Sequence, residues 1–148
     1  AHDPTPSVWF GGVPPQNVAA IISDNRARWQ AAQITDYRYQ LSINCFCFPQ
    51  RDILPFTIEV RAGTLASITS NDGTPFPTSD PMYAYVQDNA TIDAIFTTLL
   101  RDDMQRADIL DISYDPTYGF PVDIAVTYVQ GRMDDGMAVS VRAFALLP

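Results

Sequence analysis

The apolar positions of this chain follow two periods, and the change between them marks out its elements. From Tyr37 onward Tyr39, Leu41, Ile43, Cys45 and Cys47 alternate with Arg38, Gln40, Ser42 and Asn44. A period of two sustained this long predicts a half-buried strand. Phe56, Ile58 and Val60 alternate with Thr57 and Glu59 in the same way, and Gly63 is read as a turn or bulge before the strand continues over Leu65–Thr69. Three further strands close the chain: one on Leu110, Ile112 and Tyr114, one on Val122, Ile124, Val126 and Tyr128, and one on Val139, Val141 and Ala143. The segment DPTYGFP turns between the first two, and Asp135-Gly136 is a tight-turn pair before the last.

The helical period appears twice. Val18, Ile22, Trp29 and Ala32 share one face of a helix expected over residues 15–33, with Pro15 near its start and Trp29 as a core anchor. Ile92, Ile95, Phe96, Leu99 and Leu100 define a second amphipathic helix, capped by Thr91 or Asn89, with Asp93 in its first turn. The order α-β-β-α-β-β-β predicts an α+β two-layer sandwich: an antiparallel sheet of about five strands with two helices on one face. Residues 14–148 form this single domain, and residues 1–13, with Pro4, Pro6, Gly11 and Gly12, read as an extended arm or tether.

Residues 71–90 carry three prolines and the Asp72-Gly73 turn pair, so they read as a long loop. Phe76, Tyr83 and Tyr85 are expected first as packing anchors of that loop. The alternative is an aromatic contact surface, and together with Trp9 and Phe10 of the arm and Tyr118 of the later turn they are the candidate interaction residues.

Charge narrows the function. The formal net charge is −8; all nine cations are Arg, and sixteen Asp stand beside the single Glu59. The absence of Lys removes Schiff-base chemistry and a P-loop. The Arg are scattered singly, whereas a nucleic-acid backbone needs a basic stripe. An acidic surface that keeps the domain soluble is the simplest reading. No apolar run approaches the roughly 18–20 residues needed to span a bilayer. The opening AHDPTPSVWFGG, with neither Met nor an apolar leader core, reads as a mature or trimmed product and points to export.

Trp29, YRYQLSINCFC, the V-x-x-G-x-L pattern at Val60–Leu65, TIDAIF and YDPTYGFPVDI, in this order, resemble the bacterial domain-of-unknown-function family 6174. The likeness spans about residues 29–144. It implies a small exported protein, in many relatives a lipoprotein, with an α+β fold and no assigned activity or catalytic residue. This chain has Val126-Thr127 where the family usually has Ile-Asp, and Asp134-Asp135-Gly136 in place of Asp-Asp-Glu.

Cys45 and Cys47 point to the same side of the first strand, with Cα atoms about 6.6 Å apart, close to the upper limit for a disulfide. A Cys45–Cys47 clip needs the strand to pinch there, and Pro49 suits such an ending. So small a ring stabilises by only about 1–2 kcal/mol before strain. Two buried thiols rank behind the clip, followed by a Cu(I) site or a redox couple. A zinc site lacks ligands, since the sole histidine, His2, lies in the arm.

Other chemistry is sparse. No G-x-S-x-G, H-E-x-x-H or Gly-rich phosphate loop occurs, and the domain body has no His to act as a base. Asp111, Asp115 and Asp123 lie near one turn and are candidates for a carboxylate pair, with surface turn-formers as the default. Calcium at Asp72, Asp134 or Asp135 lacks a ligand loop. The expectation is therefore a non-enzymatic extracytoplasmic domain without cofactor or metal that binds a protein or envelope component. The rival is a thiol redox or Cu(I) module at Cys45 and Cys47.

Overall fold

The computed structural model describes residues 17–45, 48–128 and 136–148. The arm with Trp9 and Phe10, the expected helix start at Pro15, Cys47, and Asp134 and Asp135 lie outside these residues. The described elements run α1 (Val18–Ala31), β1 (Tyr37–Cys45), a 3₁₀ turn (Arg51–Ile53), β2 (Phe56–Arg61), β3 (Thr64–Thr69), α2 (Tyr83–Gln87), α3 (Ile92–Leu99), α4 (Asp102–Gln105), β4 (Ile109–Tyr114), β5 (Pro121–Thr127) and β6 (Gly136–Leu146). The strands form one antiparallel sheet in the order β3-β2-β1-β6-β5-β4. The helices lie on one of its faces.

The α+β architecture stands, with corrected counts: among the described residues there are six strands rather than about five, and four α-helices rather than two. The extra strand comes from a two-residue hairpin turn. Ala62 and Gly63 both take positive φ, 52° and 73°, which reverses the chain tightly enough for β3 to fold back on β2. The amide of Ala62 donates to Asp36 Oδ1 at 2.7 Å and that of Gly63 to the Thr35 carbonyl at 2.9 Å, so the turn is held from the start of β1. After α3, Arg101 is extended, with ψ 151°, and a separate short helix, α4, then forms and buries Met104. Within the long loop, Thr69 bridges Pro75 and residues 83–87 wind into α2.

Two tyrosines of β1 join sheet and helices. The Tyr37 hydroxyl accepts from the Ile92 amide at 2.9 Å, satisfying one of the amides left over at the α3 N-terminus, and the Tyr39 hydroxyl donates to the Ala90 carbonyl. Thr91 caps the helix by accepting from the Ala94 amide at 3.1 Å. Trp29 Nε1 donates to Asp93 Oδ1 at 3.3 Å, bringing α1 to the same point. Burial pushes both tyrosine hydroxyls well above their ordinary pKa, so they remain protonated. The core on this face includes Ile22, Trp29, Leu41, Ile58, Phe96 and Ile112, all buried.

Candidate functional site

On the face away from the helices, β1 presents Arg38, Gln40, Ser42 and Asn44 beside Ser140 and Ala138 of β6, and β5 adds Asp123 and Ala125. Short side chains in the middle of a sheet leave the backbone close to solvent. Shallow depressions of about 380 and 310 Å³ lie here, sharing Asn44, Arg51 and Ala138. A larger recess, about 610 Å³, lies where β5 and β6 meet the 115–120 turn.

This groove is made by two irregularities in neighbouring strands. Ser113 pairs with Asp123 but Tyr114 with Pro121, which leaves Val122 as an extra residue in β5. Arg38 pairs with Ala145 but Gln40 with Arg142, which leaves an extra residue in β6, where Ala143 adopts φ 55°. Bulges bend a strand and re-aim its side chains. Here the second bulge leaves Ala143 exposed and turns Phe144 toward the aromatic cluster, so the expected inward run of Val139, Val141 and Ala143 is corrected at its last member. Phe144 stacks on Phe120 at 4.4 Å and on Tyr37 at 5.5 Å, with Trp29 edge-on at 6.0 Å. Tyr118 meets Phe144 at 6.0 Å and completes the aromatic wall.

The polar rim is bonded in place. Arg142 Nη1 donates to the carbonyl of Val122, the extra residue of β5, at 2.9 Å and to the Val141 carbonyl at 3.1 Å, while Nη2 reaches Asp123 Oδ1 at 2.8 Å. Ser140 Oγ donates to the same carboxylate oxygen at 3.3 Å. Asp115 Oδ2 accepts from the amides of Thr117 at 3.0 Å and Tyr118 at 2.7 Å, fixing the turn. Arg28 of α1 donates to the Pro116 carbonyl, and Gly119 sits so close to α1 that a Cβ there would lie 2.7 Å from the Asn25 carbonyl oxygen. With φ 84° as well, this position requires glycine.

The three aspartates expected near this turn come together only in part. Asp111 and Asp123 are diagonal neighbours on the open face, whereas Asp115 is occupied by its own turn. Partial burial, and secondarily the nearby Asp123, raises the Asp111 pKa above the usual carboxylate value, and its buried Oδ1 has no hydrogen-bond partner. Among the described residues no group of three or more His, Cys, Asp or Glu is placed to hold a metal ion.

The candidate aromatic residues divide. Phe76 is only 4 % exposed and packs on Phe56 at 4.8 Å; Tyr83 is half-buried and stacks on Phe76; Tyr85 is half-buried and donates to Met137 Sδ at 2.7 Å. Tyr118 lines the groove. Residues the sequence reading missed there are Arg142 and Phe144. A signal for Phe144 existed, since a large apolar residue falls out of phase with Val139 and Val141.

The expected Cys45–Cys47 clip lies outside the described residues, because Cys47 does; what is described of Cys45 is a side chain 6 % exposed at the end of β1 that is not a free thiol. No described cysteine is a free thiol, so the redox and Cu(I) readings gain no support.

The fold and groove together define a small α+β domain with one helix-covered and one open sheet face. A family of unknown function, DUF6174, matches residues 22–146, and the chain belongs to it. No curated protein and no solved structure matches the chain. No described helix is long and apolar enough to cross a membrane.

Proposed function

We propose that this domain is a non-enzymatic, extracytoplasmic binding module that docks a protein or cell-envelope component on the open side of its sheet. The observation that carries the reading is the groove between the two bulges: an aromatic wall with a bonded polar rim, on the face the helices leave uncovered. A concave, partly apolar recess with a few oriented polar groups is the usual form of a binding site. The placement outside the cytoplasm is supported by the family resemblance.

The test is hydrogen–deuterium exchange of the domain with and without an envelope fraction. Slowed exchange in residues 118–124 and 138–144, with α1 unchanged, is the expected result. Slowing confined to the outer side of α1, or none anywhere, removes this reading.

A further inference from the structure

We propose that the groove receives the arginine or lysine side chain of an extended basic segment in a partner protein, an inference that rests on the binding reading above. Its wall supplies an aromatic ring, Tyr118, which is half-buried and held against Phe144, itself stacked on Phe120 and Tyr37 behind it. A tyrosine ring of this kind attracts a cation through its quadrupole, most strongly where water is partly excluded.

The rim supplies the charge. Asp115 and Asp123 stand against a single cation, Arg142, whose guanidinium is committed to two carbonyls and to Asp123 Oδ1. Asp115 Oδ1 and Asp123 Oδ2 carry no described hydrogen bond and remain as acceptors. Just beyond the groove, Asp111 holds a buried carboxylate oxygen without a partner and lies diagonally from Asp123 on the strand pair. A positive group entering here gains the two carboxylate oxygens left as acceptors, which an acidic segment cannot use. The net charge of −8 acts in the same direction at long range, drawing in a basic partner. At about 610 Å³ the recess has room for a side chain and the main chain that carries it.

The experiment titrates the ¹⁵N-labelled full chain with blocked Gly-Arg-Gly-Arg-Gly, with its lysine and glutamate counterparts, and with a neutral oligosaccharide. Saturable amide shifts at Tyr118, Val122, Asp123 and Phe144 are expected with the arginine and lysine peptides, weakening as salt is raised, and none with the glutamate peptide. Tyr118→Leu, which keeps every charge, should weaken binding about fivefold, the size of a partly exposed cation–π contact. Asp115→Asn should also weaken it, whereas Asp72→Asn and Asp103→Asn, acids elsewhere on the surface, should not. Shifts spread equally over Asp72, Asp102 and Asp103, or an undiminished response in Tyr118→Leu, overturn the inference. So does a groove that responds only to the oligosaccharide, an outcome that leaves the binding reading intact; exchange protection on the helix side would remove the binding reading itself.

Discussion

The two faces of the sheet are built from the same strands yet obey different rules. On the covered face, Tyr37, Tyr39, Leu41 and Ile43 are almost fully buried, and their polar atoms have partners in α3 and the segment before it. On the open face the alternate residues Arg38, Gln40, Ser42 and Asn44 are short or solvated, and the notable structure comes from the backbone, through the bulges at Val122 and Ala143. Stability therefore resides on one side and the proposed binding surface on the other. The aromatic cluster is where they meet: Phe144 packs on Trp29 within the core and lines the groove outside it.

The strongest way to break this comparison is to find that both faces matter equally for folding. Trp29→Ala removes three ring contacts and the bond to Asp93, and should lower stability by about 3–5 kcal/mol in urea unfolding, whereas Ser42→Ala on the open face should stay within about 0.5 kcal/mol. Comparable losses would refute the division. A narrower probe is Tyr39→Phe, which leaves the Ala90 carbonyl without its donor in a buried position; a loss of about 1–3 kcal/mol is expected with the fold retained.

The smallest effect concerns Asp111. Its pKa is raised above the ordinary value of 3.8, so between that value and the raised one the folded chain holds more protons than the unfolded chain. Ionised Asp111 therefore opposes folding above its raised pKa, and this opposition fades as pH falls through that window. Asp111→Asn should be slightly more stable than the parent at neutral pH, with the difference shrinking on acidification. A difference that grows as pH falls would show that Asp111 has a stabilising partner.

Much of the fold was legible because it rests on period. The alternation of β1 matches its burial, Thr91 caps α3 as its hydroxyl and position imply, and Trp29 anchors the core. What was not legible depends on single residues with unusual backbone geometry. Ala62 at φ 52° splits one expected strand in two, and Ala143 at φ 55° reverses the facing that alternation predicts, yet alanine gives no outward sign of either. The same blindness hid most of the groove. Tyr118 and the Asp pair stood out by residue type, but Arg142 and Phe144 acquire their roles from an extra residue in a strand.

That extra residue makes the groove a matter of chain length as much as of chemistry. Removing Ala143 would let Arg142 and Phe144 follow one another in plain alternation, with Phe144 still facing inward and Leu146 still opposite Tyr37. The strand would straighten and its recess flatten while every core side chain kept its side. A single-codon deletion is thus a route by which relatives of this domain can lose the surface and keep the fold, so variation in length at this point of β6 would sort those that share the groove from those that share only the scaffold.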